Sequence, residues 1–128
     1  MKVQYIVALS VAAGAVIGAG AVQGLRAQTK PPVYQITLQE TSNPEALLKE
    51  FTPLARAAVR QYGGPPVADG VVMPIEGTST KNRVVINQWD SVEQIRNLVS
   101  SPEYQKAREI GNKYASFLIV AVEGIPPQ

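Results

Sequence analysis

Beginning at Tyr34, apolar and polar side chains alternate, with Tyr34, Ile36 and Leu38 set against Gln35, Thr37 and Gln39. A period of two predicts a strand with one apolar and one polar face. Asn43-Pro44-Glu45 then spells a helix start: an N-cap side chain, a proline at the first helical position and an acid near the positive helix end. Leu47, Leu48, Phe51, Leu54, Ala55, Ala58, Val59 and Tyr62 follow at helical spacing and lay one apolar stripe along that helix. Pro53 lies inside the stripe and has no backbone donor, so a kink or break is expected between Lys49 and Pro53. Gly63-Gly64 ends the helix, because glycine takes up left-handed cap geometry without a steric penalty.

Val67 to Ile75 is predicted as a second strand, with Gly70 and Pro74 favouring a bulge or an edge position. The turn-rich segment Glu76 to Asn82 leads into a clear third strand, Arg83 to Trp89. Ser91 with Gln94, or Asp90 with Glu93, fits a capping box that opens a second helix on Val92, Ile95, Leu98 and Val99. Ser100-Ser101-Pro102 interrupts it. Ser101 then caps a further helical piece carrying Tyr104, Ala107, Ile110 and Tyr114. The last element, Phe117 to Val122, is apolar at every position, the mark of a strand covered on both faces. Two helices cover one side of a four-stranded sheet, so the other side calls for a second copy of the chain.

The order strand, helix, strand, strand, helix, strand is the α+β ferredoxin-like βαββαβ arrangement with a four-stranded antiparallel sheet. Within it, Tyr62-Gly63-Gly64, Glu76-Gly77, Trp89-Asp90-Ser91, Ser101-Pro102-Glu103-Tyr104-Gln105 and Val122-Glu123-Gly124 resemble the domain of unknown function 1330 family. The resemblance covers about Val33 to Gly124. It implies a place in the dimeric alpha-beta barrel superfamily, in which two ferredoxin-like sheets face one another, and it implies no established general activity. The chain departs from the family pattern at Pro65, Pro66 and Asp69, where relatives often carry a basic or aromatic residue. It departs again at Leu98 and Val99, where an aromatic pair is common. A pocket of different shape and polarity is the expected consequence.

The start of the chain has a separate grammar. Lys2 precedes an uncharged stretch from Tyr5 to Val22, and Leu25-Arg26-Ala27 supplies a small residue at a cleavage position. This is a secretory signal pattern, with cleavage expected after Ala27 and a periplasmic or secreted product. An uncleaved N-terminal membrane anchor is the alternative, and the Ala and Gly content makes it a weak one. The resulting organisation is a signal over residues 1–27, an extended lead over 28–32, a ferredoxin-like domain over 33–124 and a tail over 125–128.

Composition sharpens this. The chain of 128 residues carries a formal charge of +2, but both Lys2 and Arg26 lie in the leader, leaving ten basic and ten acidic side chains. No basic face remains for phosphate neutralisation, so nucleic acid is not an expected partner. The sequence contains neither Cys nor His. That excludes disulfides, thiolate nucleophiles, a histidine base and the commonest metal ligand; neither metal nor cofactor is expected.

Candidate ligand contacts must therefore come from amides, hydroxyls, carboxylates and guanidiniums. Gln35 and Thr37, with Gln39, share the polar face of the first strand. If the apolar face meets the helices, that polar face points toward the partner sheet, where it lines a barrel cavity or bonds across the interface. Arg83, Asn87 and Trp89 share a face of the third strand, where a cation, an amide and an indole suit a small acid or a flat ring. Trp89 also suits the core. Asp69 beside Gly70 is a base if buried and a plain bulge acid if exposed. Tyr104 falls on an apolar helix face, with Arg108 within reach. The leading expectation is a homodimer that binds a small organic molecule. The alternatives are a cofactor-independent oxygenase or isomerase of a small acid or aromatic, and a non-catalytic interaction module.

Overall fold

The computed structural model describes residues 30–127, so the signal, its cleavage bond and the anchor alternative lie outside the described residues. Between Pro32 and Gly124 the chain forms a strand β1 (Val33–Thr41), a helix in three continuous pieces, a hairpin β2 (Pro66–Val71) and β3 (Arg83–Trp89), two short helices and a final strand β4 (Ala115–Glu123). The sheet order is β2-β3-β1-β4, with every neighbouring pair antiparallel. This is the expected ferredoxin-like fold. No helix among the described residues is long and apolar enough to cross a membrane.

The first helix opens with α1 (Pro44–Ala46), passes through a π-helical turn (Leu47–Phe51) and continues as α2 (Thr52–Tyr62). Pro53 does not break it. The π turn shifts the ladder by one residue, so that the Thr52 N–H donates to the Leu47 carbonyl and Pro53 enters at the first positions of the next α segment, where a missing donor is tolerated. Gly63 closes α2 at φ 92°, as its position in the sequence predicts.

The β2 strand corrects the sequence reading at both ends. It runs from Pro66 to Val71 rather than from Val67 to Ile75, lies at the sheet edge, and carries its irregularity between Pro66 and Ala68 rather than at Gly70. Met73 and Pro74 fall outside the ladder. The remaining helices are α3 (Val92–Ser100) and α4 (Pro102–Gly111). At the start of α3, Ser91 Oγ accepts from the Gln94 N–H at 3.2 Å and Gln94 Oε1 accepts from the Asp90 N–H at 2.9 Å. One hydroxyl joins α3 to α4: Ser101 Oγ donates to the Leu98 carbonyl at 2.6 Å and accepts from the Tyr104 N–H at 3.1 Å.

The core lies between the helices and one face of the sheet. Trp89, Ala58, Ile95, Leu98, Tyr104 and Val33 form one buried cluster, and Leu47, Phe51 and Ala107 form another. The backbone of Gly64 lies flat against Trp89, and a Cβ there would overlap the indole. The sheet's two faces, however, are reversed from expectation. Gln35, Thr37, Gln39 and Thr41 point toward the helices and are buried, whereas Tyr34, Ile36 and Leu38 point outward. Ile36 pairs with Ile86 and Val120, and Leu38 with Val84 and Leu118, so the outward face is a continuous apolar surface. Within the described residues β4 is consequently covered on one side only, with Leu118, Val120 and Val122 at 47%, 39% and 49% exposure.

Candidate functional site

The reversed polarity places a row of amides and hydroxyls under a roof of helix. On the inner face Gln35 stands opposite Asn87, Thr37 opposite Val85, and Gln39 opposite Arg83, all on the adjacent strands β1 and β3. Above them α2 contributes Thr52, Ala55, Arg56, Val59 and Arg60, residues spaced so that they share one helix face. Phe51 of the π turn, the Gly63 to Pro66 loop and Tyr104 of α4 close the sides. The cavity is a partly open cleft of about 410 Å³, within the roughly 300–1,000 Å³ typical of small-molecule sites.

Two of its floor groups are held firmly. The Trp89 indole Nε1 donates to Gln35 Oε1 at 2.9 Å, and Gln35 Nε2 donates in turn to Thr37 Oγ1 at 3.2 Å. This relay orients the Gln35 amide and leaves the Thr37 hydroxyl proton available to the cavity. Asn87 Nδ2 donates to the Gly64 carbonyl at 2.9 Å, tying β3 to the loop after α2. Gln39 differs from its neighbours. It is 4% exposed, lines the cavity, and its Oε1 is buried with no hydrogen-bond partner among the described residues.

At the side, Asp69 is clamped by two guanidiniums. Arg83 Nη2 donates to Oδ1 at 2.6 Å and Arg56 Nη2 to Oδ2 at 2.7 Å. Arg83 is the inner member, its side chain 17% exposed against 58% for Arg56. Asp69 is thus exposed as a residue, as one reading of the sequence allows, but its carboxylate is held in a double ion pair and is not free. Burial pushes the Tyr104 phenol above its ordinary value, against the opposing pull of the Arg108 charge and hydrogen bond, so at neutral pH Tyr104 offers a proton and not a phenolate.

Six of the seven sequence candidates, Gln35, Thr37, Asp69, Arg83, Asn87 and Tyr104, meet at this one cavity. They meet beneath the helices, which for Gln35 and Thr37 corrects the placement toward a partner sheet that an inward apolar face of β1 implies. Trp89 does not line the cavity; it is core, 2% exposed, and supports the floor from behind through Gln35. The sequence reading passed over Arg56 and Arg60. With Thr52 they recur at every fourth residue beside the apolar stripe, which places them on one helix face but is also the ordinary spacing of a solvated face, so the sequence alone does not single them out. No group of three or more Asp and Glu among the described residues is placed to hold a metal ion.

The sequence matches the family model described as a domain of unknown function (DUF1330) over residues 32–125. No curated protein matches it. In fold it is similar to a protein of unknown function from Rhodopseudomonas palustris, at 14% identity and a TM-score of 0.60, covering 84% of this chain and 94% of that one. It is also similar to a dimeric ferredoxin-like protein of unknown function from Jannaschia sp. CCS1, at 12% identity and a TM-score of 0.59, covering 72% of this chain and 98% of that one. A third similar structure is SnoaB, a cofactor-independent oxygenase from Streptomyces nogalater, at 12% identity and a TM-score of 0.55, covering 72% of this chain and 91% of that one.

Proposed function

Because this chain belongs to the domain of unknown function (DUF1330) family, whose name assigns no activity, its role has to be read from the cavity, and we propose that it is an exported homodimer that binds a small organic molecule there. The observation that carries this reading is the Gln39 amide. Leaving a buried acceptor unpaired costs about 1–3 kcal/mol, and here the unpaired oxygen belongs to a side chain that lines a cavity large enough for a small molecule, so a ligand donor that reaches this amide supplies the missing bond. Binding is favoured over turnover because the carboxylate of the cavity wall, Asp69, already accepts from two guanidiniums. A base must be free to take a proton.

The second copy is supported by the outer face. Ile36, Leu38, Val84, Ile86, Leu118, Val120 and Val122 form an apolar sheet surface that no element of the described chain covers, and apolar surfaces of this kind are buried by a partner. Sheet-on-sheet pairing leaves each cavity beneath its own helices, so each subunit holds a complete site. Export is supported by the uncharged run Tyr5 to Val22 and the small residue at Ala27.

Native mass spectrometry of the protein isolated from its own host tests all three parts. The expected species is a dimer of chains lacking the first 27 residues, each carrying one small molecule. Chains that are empty in every preparation, and whose thermal midpoint no small organic compound raises, would overturn the binding reading; retention of the leader would overturn export.

A further inference from the structure

We propose that the ligand is an organic anion: a small carboxylic acid with an apolar body and a hydroxyl or amine donor at the opposite end. This inference rests on the binding reading above and names the class of molecule that the cavity selects.

Three features of the cavity specify the three parts. The charge around it is unbalanced, with Arg56, Arg60 and Arg83 against Asp69 as the single carboxylate. Both Asp69 oxygens are engaged by Arg56 and Arg83, whereas Arg60 makes no ion pair with any described residue. An uncompensated guanidinium at the mouth of an apolar-walled cleft attracts an anion, and its planar donors match a carboxylate. The rest of the chain supplies no such excess, since beyond the leader and outside the cavity seven basic side chains stand against nine acidic ones. Next, the wall formed by Phe51, Ala55, Val59 and Val85 is apolar, which selects a hydrocarbon or aromatic body over inorganic phosphate or sulfate. Finally, the floor carries Gln39, whose Oε1 is buried and unpaired, so a ligand whose inner end donates a hydrogen bond satisfies this amide once it turns toward the cavity. A hydroxy acid meets these requirements together, and a neutral alcohol, a plain fatty acid and an inorganic anion each miss at least one.

Isothermal titration of the purified full chain with 4-hydroxybenzoate, 4-hydroxyphenylacetate and 3-(4-hydroxyphenyl)propanoate tests the class across a range of lengths. Each is paired with its methyl ester, which removes the charge, and with the acid lacking the phenol, which removes the donor. At least one hydroxy acid is expected to bind, with its ester and its deoxy partner each weaker by about tenfold or more. Arg60→Gln is expected to weaken the acid and leave the ester unchanged. Gln39→Leu is expected to bring the hydroxy acid down to the level of the deoxy acid. Arg60 is exposed and without an ion-pair partner, so its replacement does not threaten folding. An ester that binds as tightly as its acid overturns the anion while leaving small-molecule binding intact. So does a neutral molecule retained in native mass spectrometry. No binding by any probe, together with an empty protein in native mass spectrometry, overturns this inference and the underlying binding reading together.

Discussion

Along β1, Gln35, Thr37, Gln39 and Thr41 are buried beneath the helices, while Tyr34, Ile36 and Leu38, their immediate neighbours, face away from them. The inner face of this sheet is polar on its central strand and the outer face is apolar, which inverts the arrangement expected of a two-layer domain standing alone. Each face is intelligible from what it meets. The inner face is the floor of a cavity, and its polar groups are held by partners distant in sequence: Trp89 for Gln35, the Gly64 carbonyl for Asn87. The outer face meets no further layer within the described chain, so its apolar surface becomes favourable only when a second sheet covers it. In the proposed dimer, a fold of this length can carry a polar interior because its full hydrophobic burial is divided between the helix layer and the interface between copies.

The sharpest way to break the inner face is Trp89→Ala. The indole is 2% exposed, packs on the Gly64 backbone and donates to Gln35. Its removal opens a large hole in the main core and unpins the floor, for an expected loss of about 3–5 kcal/mol in urea unfolding. A loss below about 1 kcal/mol, the scale of an ordinary surface change, would mean that the polar row stands without its support. The corresponding break on the outer face is Ile36→Lys. Ile36 sits at mid-sheet between Ile86 and Val120, so in the proposed dimer the lysine ammonium must lose its water. Sedimentation should show the dimer dissociation constant rising by about a hundredfold or more, with ligand binding in the cavity unchanged. Undisturbed dimers would place the interface somewhere other than this face.

The inversion also explains what was legible in the sequence. Alternation reports that two faces differ, and it reported this correctly for β1: every residue assigned to one face of that strand shares it. It does not report which face is covered. The assumption that apolar means inward puts Gln35, Thr37 and Gln39 on the wrong side, because the bond that anchors this row comes to Gln35 from Trp89, 54 positions along the chain, and the neighbouring Asn87 is tied to Gly64, 23 positions away. Those partners are brought together only by the strand order. Helix ends with a cap were legible, since Ser91, Ser101 and Gly63 act within four residues of themselves; the end of α4 at Gly111 was not, because Tyr114 keeps the helical spacing although it lies in the turn beyond. β2 was not, because an edge strand with a bulge at Val67 is specified mainly by the register of its neighbour β3 and only weakly by its own composition. Arg56 and Arg60 follow the ordinary spacing of a solvated helix face, and only the position of the cavity separates them from Arg96 or Lys106.

The finest test of the comparison lies within the inner face itself, between Gln35 and Gln39. Both are glutamines on the same face of the same strand, and both are buried to within a few per cent. Their hydrogen bonding sets them apart. Gln35 accepts from Trp89 and donates to Thr37, so Gln35→Leu strands the indole N–H in the core and is expected to cost about 1–3 kcal/mol. Gln39 has an unpaired Oε1, so Gln39→Leu removes a desolvated acceptor without orphaning a partner and is expected to raise the stability of the ligand-free protein by about 1 kcal/mol. The same substitution, four residues away, thus changes sign. Urea midpoints of the two variants measure it directly. A destabilised Gln39→Leu variant would show that this amide is satisfied in the free protein, and it would remove the main reason for expecting a donor group on the ligand.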